Sequence, residues 1–240
     1  MNHEQSEWNE QGSVVLTTPR LRRTPPTEGN VPRLRFPEFK DAGAWNVTEL
    51  KDVACFVSDK VSLNSVSLAN YVSTENILPD YEGIVIASKL PTTGSVTQYA
   101  KDDILISNIR PYLKKVWFAN QGGGASNDVV VVRAKDDILA TYLSFILRND
   151  DFIVYVMRGA KGVKMPRGDI ALMKAYRIAY PPKEEQQKIA ACLSSLDNLI
   201  SAQSQKIEAL KQHKKGLMQQ LFPNSPPLEG WQAKPDGVVL

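Results

Sequence analysis

From Ile189 to Leu221 the chain steps by four and three through Ile189, Leu193, Leu196, Ile200, Gln203, Ile207, Leu210, Lys214, Leu217 and Leu221. Eight of those ten positions are apolar, which is enough to line one face of a helix as the a/d seam of a heptad repeat. The pattern predicts a helix from Lys183 to Phe222, entered at Pro181-Pro182 and stopped at Pro223. At about 1.5 Å per residue, the seam is on the order of 50 Å long. A stripe of that length cannot bury itself. It predicts a second long helix alongside, from this chain or from another copy. Lys214 falls on the seam, where a polar residue sets register at a cost in stability.

Upstream the period changes. Short β-branched or aromatic runs bounded by Gly, Pro, Asp or Asn predict strands at Ile84–Ser88, Ile104–Ser107, Lys115–Phe118, Val129–Arg133 and Tyr176–Tyr180. Ile138–Arg148 and Phe152–Met157 predict helices, the second with Asp150 or Asp151 as its N-cap. Gly122-Gly123-Gly124 reads as a hairpin turn. Strands dominate the middle and helices come later, which predicts an α+β globule followed by one long coiled-coil helix. The expected divisions are a disordered segment at 1–31, a globule at 32–182, the helix at 183–222 and a flexible tail at 223–240.

Composition narrows the classes. The 240 residues are 42% hydrophobic, enough for a core, and the net charge of +3 says little about partners until its distribution is known. Cys55 and Cys192 have no metal-ligand spacing and read as reduced thiols packed as small apolar side chains. No apolar run reaches the roughly 18 residues that span a bilayer. The polar start MNHEQSEWNEQ is not a signal peptide, so a cytoplasmic location is expected.

Candidate chemistry is sparse. The two histidines, His3 and His213, fall in the expected disordered start and on the long helix, so neither reads as a catalytic or zinc-bound residue. No phosphate loop or dinucleotide fingerprint occurs. Asp102-Asp103 and Asp136-Asp137 precede apolar runs and read as turn or cap residues rather than a metal site. The chain is therefore expected to be no enzyme, with no cofactor and no metal of its own.

Positive charge concentrates in two places. Asn108–Lys115 (NIRPYLKK) carries Arg110, Lys114 and Lys115 with Tyr112 between them and no acid. Arg158–Gly168 (RGAKGVKMPRG) carries Arg158, Lys161, Lys164 and Arg167, again with no acid. Clustered cations on irregular segments suit phosphates, with Asn108 and the arginines available for base edges. The competing reading is that both are solvated surface loops.

With these residues in view, the chain resembles the specificity subunits of Type I restriction–modification systems. The resemblance rests on PRLRFPEF at Pro32–Phe39, W-x-x-x-x-L-K-D-V from Trp45 to Val53, and DDILISNIRPYLKKV at Asp102–Val116. It rests most on YPPKEEQQKIAACLSSLDNLI with its helix ending in GLMQQLF. It implies that the globule is a target-recognition domain for double-stranded DNA and that the long helix is a spacer. It implies no catalysis in this chain: modification subunits methylate adenine with S-adenosylmethionine, and restriction subunits cut DNA with ATP. A full-length member has two recognition domains and two antiparallel spacer helices, whereas this chain shows one of each, with Gly230-Trp231 resembling the start of a second unit. The expectation is therefore an antiparallel homodimer reading a symmetric bipartite site, the spacer spanning about 15 base pairs at roughly 3.4 Å each. The alternative is a coiled-coil scaffold or decoy that binds modification subunits without productive DNA recognition.

Overall fold

The structure is a computed structural model, and it describes residues 31–222. The expected disordered start, His3, the tail from Pro223 and Gly230-Trp231 lie outside the described residues. The strands are β1 (Asn46–Glu49), β2 (Ala54–Val57), β3 (Lys60–Ser62), β4 (Tyr71–Val72), β5 (Ser95–Tyr99), β6 (Ile104–Ser107), β7 (Val116–Phe118), β8 (Gly123–Ala125), β9 (Val129–Ala134) and β10 (Arg177–Tyr180). The helices are α1 (Leu50–Val53), α2 (Ala140–Leu147), α3 (Asp150–Arg158), α4 (Ile170–Lys174) and α5 (Lys183–Leu221). This is the mixed globule and long C-terminal helix that the sequence predicts. The chain divides into two compact units after Gln186, with the first turn of α5 in the first unit.

The first unit is built on an antiparallel sheet in the order β2-β9-β6-β7. All four residues of β6 and the first four of β9 are buried, as their continuous apolar runs require of strands covered on both faces. On one face Leu105, Trp117, Val129 and Val131 join Val72, Ile77, Tyr99 and Ala125 in a single apolar cluster. On the other side α2 packs against β7 and β9. A second sheet, β3-β5-β8-β4, has one parallel pair, β4 with β8. A third pairs β1 with β10 and joins the two ends of the globule.

Two motifs that carry the resemblance meet in space. The Arg35 guanidinium donates to both carboxylate oxygens of Glu185, through Nε at 2.7 Å and Nη2 at 2.6 Å, and to the carbonyls of Ala42 and Gly43. The side chains of this pair are 6% and 1% exposed, so a fork–fork pair with added hydrogen bonds is what makes the burial tolerable. Gln186 next to it is fully buried. It accepts from the Leu139 amide at 2.8 Å and donates to the carbonyls of Pro181 and Asp137. The Glu-Gln pair of the helix start is thus a fastener for the N-terminal segment and for the entry to α2. In the tryptophan motif, Leu50 and Val53 are core residues, and the Leu50 amide donates to the Tyr176 carbonyl at 2.8 Å.

Several expectations are corrected. Ile84–Ser88 is no strand: it makes one isolated bridge, Ile77 with Ile84, and then runs irregularly with Val85 and Ile86 exposed. Its amides are taken instead by the carbonyls of Asn76 and Leu68. Gly123 and Gly124 form strand β8 rather than a turn. A Cβ at Gly123 would collide with the Asn70 carbonyl, and one at Gly124 with Val96, so glycine is needed where β8 threads between β5 and β4. The N-cap of α3 is Asn149, whose side chain accepts from the Asp151 amide; Asp150 and Asp151 occupy the first turn. Cys55 and Cys192 are exposed rather than packed: Cys55 lies on edge strand β2 and Cys192 on α5.

Candidate nucleic-acid interface

β6 ends at Ser107, and the chain leaves the sheet through Asn108–Lys115. There Pro111–Leu113 forms a 3-10 turn flanked by Arg110 and Lys114, both left-handed with φ of 51° and 53°. On one side, the amides of Asp80 and Tyr81 donate to the carbonyls of Leu113 and Lys114 at 3.0 and 3.1 Å. On the other side lies the second basic segment. The Arg110 amide donates to the Pro166 carbonyl at 2.8 Å, and the Gly168 amide to the Asn108 carbonyl at 3.0 Å. Lys161 and Arg167 exchange backbone hydrogen bonds at 2.9 Å in each direction, closing residues 162–166 into a loop. The two segments, some fifty residues apart in sequence, are therefore one surface.

That surface is held stiffly. Five non-glycine residues among those described have positive φ, and four of them, Asp80, Tyr81, Arg110 and Lys114, meet here. Each costs roughly 1–2 kcal/mol, so the surrounding hydrogen bonds must over-determine the conformation. Gly168 is required by contact. A Cβ there would stand 2.6 Å from Met173 Cε and 2.8 Å from Asn108 Oδ1. Asn108 Oδ1 and Arg110 Nε are buried without a hydrogen-bond partner among the described residues.

The cations differ in what they are free to do. The Lys115 ammonium donates to the Thr74 carbonyl at 2.7 Å, a structural tie. Lys114 lies 2.9 Å from Asp150, which raises its pKa above the ordinary lysine value through that hydrogen bond. Lys161 is 3.7 Å from Asp169 and Arg167 is 2.9 Å from Asp128. Asp169 caps α4, and the amides of Leu172 and Ala171 hold its carboxyl below the usual carboxylate range. Arg158, Lys161, Lys164 and Arg167 are all exposed, and Tyr112 is half exposed. A cavity of about 360 Å³ is lined in part by Tyr71, Asn76, Ile86, Lys89 and Asp128, the last being the acid that pairs with Arg167.

The acids that face these cations come from other elements, so reading the basic segments alone missed them. Asp169 carries a legible signal, an aspartate immediately before an apolar run. Asp128 and Asp150 carry none that points to this surface. Among the described residues no group of histidine, cysteine or acidic side chains could hold a metal ion.

The seam of α5 is bare on this chain. Leu196, Ile200, Ile207, Leu210, Leu217 and Leu221 are all exposed, and Ile189 and Leu193 are partly covered. At about 58 Å, the helix is long enough to be a strut. No helix of the described residues is long and apolar enough to cross a membrane.

A family model described as the Type I restriction modification DNA specificity domain matches residues 43–212. The Type I restriction enzyme MjaVIII specificity subunit of Methanocaldococcus jannaschii is 34% identical over 106 residues, 44% of this chain and 24% of that protein. The MjaIX specificity subunit of the same organism is 24% identical over 225 residues, 82% of this chain and 51% of that one. Among solved structures, the HsdS subunit from Thermoanaerobacter tengcongensis aligns with a TM-score of 0.55 at 20% identity, covering 80% of this chain and 52% of that one. The chain thus spans about half the length, or less, of these relatives.

Proposed function

Because the chain belongs to the Type I restriction modification DNA specificity domain family, we propose that it is the DNA-recognition subunit of such a system. One observation carries the reading: two cation-rich segments, far apart in sequence, are hydrogen-bonded into a single stiff surface. Exposed cations there would take phosphates and set the register on the duplex, while Arg167, which is exposed, is the candidate for a base edge; Asn108 and Arg110, whose Oδ1 and Nε are buried, would act there only through their remaining polar atoms. The chain does no chemistry itself. It brings modification subunits to an adenine, which they methylate with S-adenosylmethionine, and restriction subunits join the same cytoplasmic complex and use ATP.

The bare seam supports the finer reading of an antiparallel homodimer. Two copies of α5 would cover each other's apolar stripe and hold two identical recognition globules apart on a symmetric, interrupted site. Within this surface the exposed cations contribute through phosphate contact. Neutralising Arg158, Lys161, Lys164 and Arg167 together, in the complex with modification subunits, is expected to weaken duplex binding and to flatten its dependence on salt. Undiminished affinity with an unchanged salt slope would move the interface elsewhere. Methylome sequencing of cells expressing the chain with its modification subunits tests the whole proposal. A palindromic, bipartite adenine motif is expected; unchanged methylation favours the decoy alternative.

A further inference from the structure

Resting on the DNA-recognition reading, we propose that Arg167 reads a guanine in the major groove and that Asp128 is the residue that positions it. Arg167 is tied to both basic segments through its backbone. Its amide and carbonyl both bond to Lys161 at 2.9 Å, and it bridges to Ile109 on the neighbouring segment. Its side chain is 59% exposed, yet one terminal nitrogen, Nη2, sits 2.9 Å from Asp128 Oδ1. Asp128 is fixed in turn, because its carbonyl accepts from the Asn108 amide at 2.8 Å where β9 begins. The acid therefore bridges both basic segments.

A carboxylate on a face that meets phosphates weakens binding unless it does something else. Here it can hold a guanidinium. An arginine has five donors in a planar fork, so a bond to Asp128 leaves others for O6 and N7 of guanine, the acceptors that match this fork. Holding the long side chain in place beforehand removes part of the entropy lost on binding. The other paired cations do not fit this role. Lys114 also faces an acid, Asp150, but an ammonium is a point charge and cannot form the fork. Lys161 is 85% exposed and 3.7 Å from its acid, too loose to be aimed.

The test is selection from a randomised duplex-DNA library by the full chain with its modification subunits, comparing wild type with Arg167→Lys and Asp128→Asn. Wild type is expected to enrich a motif with an invariant guanine at one position of the half-site. Arg167→Lys keeps the charge but loses the fork. It should lower the preference for that guanine on the order of 10- to 100-fold and leave every other position unchanged. Asp128→Asn should relax the same position by a smaller factor, without weakening binding to non-target duplex. Preferences retained elsewhere in the motif also show that each variant is folded. Replacing that guanine by 7-deazaguanine should weaken wild type more than Arg167→Lys, because the ammonium makes a single-point contact where the guanidinium makes two. The inference is wrong if Arg167→Lys selects the same motif as wild type, or if wild type tolerates 7-deazaguanine. A library from which wild type enriches no sequence overturns the recognition reading as well.

Discussion

Leucines in the globule and leucines in α5 have opposite fates. Leu105, Leu143 and Leu147 are completely buried, whereas Leu196 and Leu210 are 50% and 58% exposed. Both sets obey clean patterns, the first in strands and a short helix, the second in a heptad. The difference lies in what each pattern needs for completion. A buried sheet finds its cover within the same chain, as β7 and β9 do beneath α2. A single heptad stripe has no second face to close on and demands another helix. One region is a finished core; the other is an apolar stripe left open along α5.

The largest effect should come from breaking the finished half. Leu143→Ala removes a fully buried side chain from α2 and is expected to cost about 2–5 kcal/mol of unfolding free energy in urea titration. Leu210→Ala, measured in the same way at concentrations where the chain is monomeric, should change stability far less. Equal losses would mean that the stripe is already covered, and the contrast between the regions would fail.

The second test acts on the unfinished half. Leu196→Asp with Leu210→Asp places charges on the seam and should leave the globule's unfolding midpoint unchanged. If α5 pairs with a second copy, an unpaired charge in the seam costs about 3 kcal/mol or more, so dimer affinity should fall by roughly 100-fold or more. Sedimentation velocity reads the outcome. A dimer that persists through both substitutions would assign self-association to another surface.

These two regions were also unequally legible in the sequence. The heptad predicted α5 to within one residue of its end, because a long period repeats its own evidence. The strands β6, β7, β9 and β10 were readable because their runs are apolar and bounded. Strands β1, β3, β4, β5 and β8 were not, since NVTE, KVS, YV, SVTQY and GGA are short, polar or glycine-rich and take their structure from partners. IVIAS failed the opposite way: its strand composition was outweighed by the carbonyls of Asn76 and Leu68, which claim its amides. At the candidate interface, the two basic segments were visible one at a time. Their union depends on backbone bonds such as Arg110 to Pro166, and their acids Asp128 and Asp150 lie on other elements, so composition could not join them.

Alkali separates the two regions with the smallest effect and a defined sign. Tyr99 is buried in the globule, its hydroxyl donates to the Asn70 carbonyl at 3.0 Å, and its ring meets Trp117 edge-on at 5.9 Å. Burial pushes its pKa up to about 12, against about 10 in an unfolded chain. The neutral phenol is thus favoured by the fold. Between about pH 10 and 12 the unfolded chain loses this proton while the folded chain keeps it, so stability is full below that window and declines through it. Tyr142 is pushed up by burial in the same direction, and no tyrosine occurs between Gln187 and Phe222. Tyr99→Phe should therefore cost about 1 kcal/mol at neutral pH, for the lost hydrogen bond, and make the alkaline decline shallower. Urea midpoints followed by tryptophan fluorescence from neutral pH into that window measure both. A decline as steep in the variant as in wild type would mean that the Tyr99 hydroxyl ionises as freely in the fold as outside it. The globule would then be less closed at this point than its buried core indicates.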